Sequence, residues 1–244
     1  MTQRNACTVN QGRRSFAGMN AKALPSNVQD MPVEIRAMVS VLSSELPGWA
    51  AQQWACPPGR PKDVDARIRR ARRAGVMAIL CPNDEGAWSV LLMQRTEDGS
   101  PHSGQISLPG GSEEAGDCGD LKRTAMRECA EEVGVELHEN QVIGSLSPLY
   151  IPPSDFWVSP FVAWCSSRPR IRRQHEEVAR VMFLPLASLP NPGLPWGNLP
   201  VKMGRGSMQV PGMRWENQVL WGATAMMLSE LNHAWHLAWD SLKG

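Results

Sequence analysis

Three glutamates within five residues constrain this chain more than any other feature of its sequence. Glu128, Glu131 and Glu132 stand at positions i, i+3 and i+4, a spacing that places three carboxylates on one side of a helix. Neighbouring like charges destabilise an isolated helix by roughly 0.2–0.5 kcal/mol per pair. The cluster therefore predicts a positive partner, and hard oxygen ligands favour Mg²⁺ or Mn²⁺, the ions of phosphate chemistry.

The residues around the glutamates fit a helix that docks on a core. Arg127 lies four residues before Glu131 and can orient it by a charge-assisted hydrogen bond. Gly134 stands where a helix needs a left-handed stop. A solvated acidic face is the alternative, but it would leave the glycine turn at residues 109–111 unexplained. The opposite, apolar face is predicted to consist of Met126, Cys129, Ala130 and Val133.

These residues resemble a known family motif. Gly111 together with residues 127–135 is similar to the Nudix box, Gly-x5-Glu-x7-Arg-Glu-U-x-Glu-Glu-x-Gly-U, in which U is apolar. The stretch from Gly111 to Arg127 is two residues longer than in the box, and the first glutamate of the box has no partner in register. Asp117 or Glu114 could take its place in the enlarged loop.

A second segment narrows the resemblance. Residues 91–95 and 102–111 are similar to the motif that precedes the box in coenzyme A pyrophosphatases, and residues 177–186 and 220–225 also resemble that subfamily. The resemblance extends over about residues 74–230. It implies hydrolysis of the diphosphate bond of coenzyme A or acyl-CoA. The products would be 3′,5′-adenosine bisphosphate and 4′-phosphopantetheine or its acyl form.

Roles for the individual residues follow from the helix spacing and the resemblance together. We expect Glu128 and Glu132 to be the main metal ligands, with Glu131 assisting and the carbonyl of Gly111 adding a ligand. Glu128, Glu131 and Arg127 are the expected catalytic residues. The general base stays open between one of the three helical glutamates and a glutamate on a later segment, for which the candidates are Glu176, Glu177 and Glu216.

Substrate contacts are expected just before the glycine turn. Arg95, His102 and Gln105 precede it and are predicted to bind phosphate or pantetheine groups. Two basic runs, residues 69–73 and 168–173, are interpreted as solvated faces, with the alternative that one of them receives a phosphate of the substrate. Two other functions stay open. One is a Nudix hydrolase of another nucleoside diphosphate derivative, such as a dinucleotide or sugar nucleotide, and the other is a non-catalytic nucleotide-sensing Nudix module.

Composition narrows the partners of the chain. A formal net charge of +1 gives no general electrostatic case for binding nucleic acid, and no apolar run approaches the length of a membrane span. No two of the six cysteines have C-x-x-C spacing, and this pattern favours a protein of a reducing compartment. We expect a cytoplasmic protein. The alternative is the mitochondrial matrix, if the basic segment before Asp30, which has no acidic residue, is a transit peptide.

Hydrophobic patterning predicts three parts: a disordered tail over residues 1–30, a helical extension over 31–73, and a Nudix domain over 74–244. Hairpin-forming strands before and after one central helix favour a mixed sheet covered by helices on both sides. The resemblance implies the same α/β/α sandwich. Within it, the pattern predicts strands over residues 75–81 and 88–93, a short basic helix over 64–73 and a long C-terminal helix over 217–239.

Three of the ten tryptophans, Trp221, Trp235 and Trp239, fall at core-like spacing in the predicted C-terminal helix. They invite a stacking site for an adenine ring. We interpret them instead as packing residues of the core or of a homodimer surface, because aromatic side chains contribute large apolar areas at both places.

Overall fold

The computed structural model describes residues 28–60, 70–97, 99, 102–203 and 206–244. Its centre is a mixed sheet of eight strands in which β3, β2, β1, β7 and β5 lie side by side. β4 pairs with β1, β6 with β7 and β8 with β2. The strands are β1 (Arg72–Pro82), β2 (Trp88–Arg95), β3 (Ile106–Ser107), β4 (Gly110–Ser112), β5 (Val142–Ser145), β6 (Leu149–Ile151), β7 (Phe156–Trp164) and β8 (Val178–Pro185).

The two central strands are buried on both faces, and their side chains alternate between two cores. In β1, Met77 and Ile79 belong to one apolar cluster, whereas Ala78 and Leu80 belong to the other. β1 runs parallel to β7 and antiparallel to β2, with Leu80 opposite Val90. Burial on both faces requires a layer of helices on each side of the sheet.

One layer contains the helix α3 (Leu121–Glu128), which continues into a π-helical turn at Cys129–Val133. The side chain of Asp120 caps the helix by accepting from the backbone N–H of Lys122 at 2.9 Å. The helix lies so close to β1 that a Cβ added to Gly75 would come within 2.1 Å of the carbonyl oxygen of Leu121. Only glycine at this position allows the helix to dock.

The other layer contains α1 (Val33–Ser43), α2 (Trp49–Gln52) and the C-terminal helix α4 (Gly222–Ser241). α1 and α4 bury their apolar residues in the same cluster as β1 and β2, so the predicted N-terminal extension shares the core of the domain. The fold is the expected α/β/α sandwich with a long C-terminal helix. The domain boundaries at residues 30 and 73 stay a proposal.

A second, three-stranded sheet departs from the prediction. It consists of β9 (Gly197–Met203), β10 (Gly206–Trp215) and β11 (Gln218–Trp221). The helix predicted from residue 217 therefore begins at Gly222, because Arg214 and Val219 pair across a hairpin. Trp221 consequently lies at the end of a strand and not on the helix.

Two predictions near the N-terminus fall mainly on residues outside the described ranges. These are the tail, up to residue 27, and the basic helix predicted over 64–73, of which residues 64–69 are not described. The helix prediction is wrong for its last two residues, since Arg72 and Arg73 begin β1 and pair with β7. Among the described helices, none combines the length and the apolar character needed to cross a bilayer.

Candidate active site

A cavity of about 310 Å³ opens at the end of α3, lined by Glu128, Glu131, Glu132, Gln174 and Glu177. The structure therefore brings together the three glutamates of the predicted helix. It adds a fourth carboxylate and an amide from the loop before β8. All five side chains present oxygen atoms, which is the donor chemistry that Mg²⁺ and Mn²⁺ prefer.

The glutamates lie on an irregular helix. The α-helix ends at Glu128, and the following turn is π-helical, with the N–H of Gly134 donating to the carbonyl of Cys129. Single π-helical turns within helices occur frequently at functional sites. A π-helical turn rotates the chain by a smaller angle per residue than an α-helical turn does, which changes the face on which each side chain lies. Ala130 is exposed, and the prediction that it belongs to the apolar face is wrong. Gly134 does end the turn in the left-handed region, at φ 71°.

Arg127 organises the acidic residues around this turn. Its guanidinium donates to Glu128 at 3.0 Å and to Glu131 at 2.9 Å. Two further nitrogens donate to the carboxylate of Asp117 at 3.2 and 3.1 Å. Glu114, 67% exposed, comes only within 3.7 Å. Asp117 therefore occupies the place of the first acidic residue of the motif.

Asp117 is itself held in place from several directions. It is 4% exposed and accepts hydrogen bonds from the backbone N–H of Glu114 and from the hydroxyl of Thr124. Burial alone would raise the pKa of Asp117, but these bonds and Arg127 outweigh burial and hold that pKa below its usual value. Counted forward from Gly111, Asp117 stands at the sixth residue, as the first glutamate of the motif does, so the expectation that this position has no partner in register is wrong. That forward count is the signal that could have selected it.

Glu132 is the most buried of the cavity carboxylates. It is 2% exposed, and its Oε2 accepts from the backbone N–H of Gly110 at 2.8 Å. Burial raises the pKa of Glu132 to about 8, and the negative charges of Glu128 and Glu177 add to this. The bond from Gly110 and the charge of Arg95 oppose the shift without cancelling it.

Glu128 lies directly over the glycine turn. A Cβ added to Gly111 would come within 2.4 Å of Glu128 Oε1, so a larger residue here would displace the carboxylate. Burial raises the pKa of Glu128, although the charge of Arg127 and its hydrogen bond act in the opposite direction. Two neighbouring carboxyl groups with raised pKa values indicate a site that favours a bound cation.

The loop before β8 is hydrogen-bonded to the π-helical turn. The backbone N–H of Arg172 donates to the carbonyl of Val133 at 2.9 Å, and that of Gln174 donates to the carbonyl of Glu132 at 2.9 Å. These bonds satisfy carbonyls that a helix end leaves without partners, and they bring Gln174 and Glu177 to the cavity. Gln174 is a site residue that only the structure reveals, since nothing in the neighbouring sequence indicates this contact.

Comparisons with known proteins identify the family of this chain. The NUDIX domain family model matches residues 71–202. A protein of Pectobacterium atrosepticum named uncharacterized Nudix hydrolase NudL is 30% identical over 67% of this chain and 83% of its own length. Its namesake in Yersinia enterocolitica is 32% identical over 59% of this chain and 72% of its own. The chain belongs to the Nudix family. It is a Nudix pyrophosphohydrolase that acts on nucleoside diphosphate derivatives.

Two solved structures are partly similar to this chain. The NUDIX domain of Shewanella oneidensis NrtR complexed with ADP ribose is 22% identical, with a TM-score of 0.41 over 48% of this chain and 74% of that one. A MutT/nudix family protein from Enterococcus faecalis is 17% identical, with a TM-score of 0.48 over 67% of this chain and 61% of that one.

The predicted substrate residues divide into two groups. Arg95 lies beside the Nudix carboxylates, with its Nη1 3.8 Å from Glu132 Oε1. His102 and Gln105 contact each other, with Nδ1 and Oε1 3.2 Å apart, and neither belongs to the cavity wall. A side-chain hydrogen bond holds this segment to the C-terminal helix, since the hydroxyl of Thr224 donates to the backbone carbonyl of Ile106 at 3.0 Å.

The two remaining candidates for the general base lie elsewhere. Glu176 is not among the residues of the cavity wall, and its backbone carbonyl accepts from the hydroxyl of Thr96. Glu216, in the turn between β10 and β11, forms an ion pair with Arg180 at 3.3 Å. Of the three glutamates considered on later segments, only Glu177 lines the cavity.

Nudix hydrolases generally use divalent metals, and the donor set fits such an ion. Within the described ranges, no three His, Cys, Asp or Glu side chains converge on a common point in their present positions. Arg127 holds one oxygen each of Glu128 and Glu131, and Gly110 holds one of Glu132. The second oxygen of each carboxylate lacks a hydrogen bond among the described residues and can turn toward a cation.

Proposed function

We propose that this Nudix hydrolase cleaves the diphosphate bond of coenzyme A or acyl-CoA, with Mg²⁺ or Mn²⁺ as its cofactor. The observation that carries the proposal is the position of Arg95 beside Glu132. Arg95 belongs to the segment that resembles the motif of coenzyme A pyrophosphatases, and the fold joins that segment to the carboxylate cavity. A guanidinium at this edge can bind a phosphate oxygen next to the cation site.

Glu128 and Glu132 would be the main ligands of the ion, with Glu131 assisting and the carbonyl of Gly111 as a further candidate. The position of the Glu128 carboxylate against Gly111 supports a shared site. A bound divalent ion supplies neutralisation of the diphosphate charge and Lewis-acid activation of water. Arg127 would keep Glu128 and Glu131 oriented, because it bonds both of them and is itself fixed by Asp117.

Glu177 is our candidate for the general base. It stands on a different segment from the helical ligands, and its side chain makes no hydrogen bond or ion pair within the described residues. A base has to exchange its proton with water and therefore needs access to solvent, which this exposed residue has. Glu128 and Glu131 are less suited, because Arg127 already holds one oxygen of each.

The substrate is tested by incubating the full chain with Mg²⁺ or Mn²⁺ and a panel of coenzyme A, acetyl-CoA, dinucleotides and sugar nucleotides. Mass spectrometry of the products in heavy-oxygen water identifies both the cleaved bond and the phosphorus atom that water attacks. We expect adenosine bisphosphate and phosphopantetheine from coenzyme A. Intact coenzyme A beside a cleaved dinucleotide would favour a Nudix hydrolase of another nucleoside diphosphate derivative.

The base is tested by Glu177→Gln. Loss of the proton acceptor should lower kcat by about a hundredfold with little change in KM, and should remove the acidic limb of the pH–rate profile. Glu176→Gln, one residue away and outside the cavity wall, is the matched control. Equal rates for the two variants would exclude Glu177 as the base.

The other partner predictions rest on the sequence. A small nucleotide is the expected partner, without nucleic acid or membrane. A homodimer and a cytoplasmic location stay predictions. Trp235 packs in the core as expected, since it is 6% exposed and its ring centroid lies 6.0 Å from that of Trp88.

A further inference from the structure

The loop that leads to the cavity carries four arginines, in the basic run at residues 168–173. Two of them already have partners in the fold. Arg173 donates to the carbonyl of Val178 at 2.9 Å, and Arg168 forms an ion pair with Asp84. The remaining two, Arg170 and Arg172, are exposed. Among the described residues, neither side chain has a hydrogen bond or ion pair.

The hydrogen bonds of the loop determine the position of Arg172. The backbone N–H groups of Arg172 and Gln174 both donate to the π-helical turn, at 2.9 Å each. The acceptor of the Arg172 bond is Val133, the residue after Glu132 of the cavity wall. Arg172 is therefore held two residues from Gln174, which also lines the cavity.

Arg172 consequently stands at the rim of the cavity. Its Cα can lie at most about 7 Å from that of Gln174, because only two residues separate them along the chain. Its Cβ packs against the end of the carboxylate helix, since a Cβ added to Gly134 would come within 2.6 Å of it. The guanidinium is thus anchored at its base and free at its tip.

The negative charge of the cavity wall suggests a function for Arg172. The inner wall carries the carboxylates of Glu128, Glu131, Glu132 and Glu177, which attract a cation but repel any phosphate that the cation does not neutralise. We propose that Arg172, supported by Arg170, binds a phosphate monoester of the substrate that lies outside the scissile diphosphate. A guanidinium binds such a group by two parallel hydrogen bonds.

This inference rests on the proposed function, because coenzyme A carries a phosphate of this class on its ribose. Arg172 would then select coenzyme A over nucleoside diphosphates that lack the 3′-phosphate. A purely structural role would be neutralisation of the negative helix end beside Val133. Such a role would affect stability but would not distinguish one nucleotide from another.

The test compares binding of adenosine 3′,5′-bisphosphate and adenosine 5′-monophosphate to the full chain by calorimetry at fixed Mg²⁺. We expect the wild type to bind the bisphosphate about tenfold more tightly, which corresponds to ~1.4 kcal/mol. Arg172→Gln should remove this preference while keeping the Cβ that packs on Gly134. Arg172→Lys should keep part of it, and Arg170→Gln should reduce it less. Arg36→Gln, an exposed arginine on α1, is the charge-matched control.

An unchanged preference in Arg172→Gln would overturn the inference, as would a wild type that binds both nucleotides equally. The binding assay does not depend on turnover, so the two proposals fail in different ways. A preference for the bisphosphate without cleavage of coenzyme A would contradict the proposed function and keep the phosphate site. Cleavage of coenzyme A without the preference would do the reverse.

Discussion

Two buried glutamates on opposite faces of the sheet have nearly equal burial and very different surroundings. Glu230, on α4, is fully buried, and both of its oxygens are saturated. It accepts from the backbone N–H of Gly48 at 3.0 Å, from Gln52 at 2.9 Å, and from the hydroxyl and N–H of Ser147 at 2.6 and 3.1 Å. Glu132 has one such bond, from Gly110, and an arginine 3.8 Å away.

The difference shows what burial alone does not indicate. A carboxylate with four donors has its hydrogen-bonding capacity satisfied, and Glu230 joins α2 and the loop before β6 to the C-terminal helix. Glu132 has one donor and one arginine at 3.8 Å against the negative charges of Glu128 and Glu177, which leaves a place for a cation. The partners of a buried acid, more than its exposure, therefore separate a structural role from a functional one.

The largest expected effect comes from Glu132→Gln. The amide keeps an oxygen for the N–H of Gly110 but loses the charge that holds the cation, so kcat should fall on the order of a thousandfold while the fold stays intact. Steady-state kinetics and circular dichroism measure the two consequences. Glu45→Gln, exposed on the loop after α1, should behave as wild type. Wild-type turnover in Glu132→Gln would remove the contrast with Glu230.

Glu230→Ala should lower stability and leave turnover unchanged. Removing the acceptor leaves several buried donors unpaired, and the free energy of unfolding should fall by about 3 kcal/mol with turnover per folded molecule unchanged. Denaturant unfolding measures this. Ser229→Ala removes one neighbouring buried bond, from the Ser229 hydroxyl to the carbonyl of Ala51 at 2.8 Å. It should cost about 1 kcal/mol. A cost no greater than that of Ser229→Ala would show that the Glu230 network is not structural.

Asp117→Asn tests which acidic residue of the loop, Asp117 or Glu114, fixes Arg127. The amide cannot supply the two charged acceptors that fix Arg127, so we expect kcat to fall by about tenfold to a hundredfold and metal affinity to weaken. Glu114→Gln should change kcat by less than about twofold, because an exposed ion pair contributes little. A larger effect at Glu114 would reverse the assignment of the first acidic position.

A pH dependence of stability is expected in protein stripped of metal by a chelator. The pKa of Glu132 rises on folding from 4.5 to about 8, so the folded state binds this proton more tightly than the unfolded state. The resulting stabilisation is complete below about pH 4.5 and is lost as the pH rises through about 8. Thermal unfolding should therefore show a Tm lower by a few degrees near pH 8 than near pH 5. Glu132→Gln should lack this component, and an identical pH profile for this variant would contradict it.

Much of the site could be predicted from local spacing. The i, i+3, i+4 glutamates gather at one cavity, Arg127 bonds Glu131, and Gly134 ends the turn in a left-handed conformation, because these relations need only a few consecutive residues. Spacing does not decide between Asp117 and Glu114, since the choice depends on which carboxylate the chain buries under Arg127. It does not indicate Gln174 either, because Gln174 reaches the cavity through a backbone hydrogen bond to Glu132.

The N-terminal helix and the first hairpin follow from hydrophobic periodicity, whereas the second sheet does not. The segment over 217–221 has an apolar pattern that suits a helix, but pairing with β10 decides it in favour of a strand. Strand pairing joins residues that local propensity does not relate, so a short segment of mixed pattern takes the structure of its partner.

The sequence by itself determined the acidic helix, its glycine stop and the membership of a diphosphate-cleaving family. Each of these depends on residues that lie close together along the chain. Only the tertiary structure decided which later glutamate reaches the cavity and which arginines of the basic run remain available at its rim. Those outcomes depend on backbone hydrogen bonds between the loop before β8 and the π-helical turn, about 40 residues earlier in the chain, a distance over which sequence spacing carries no geometric information.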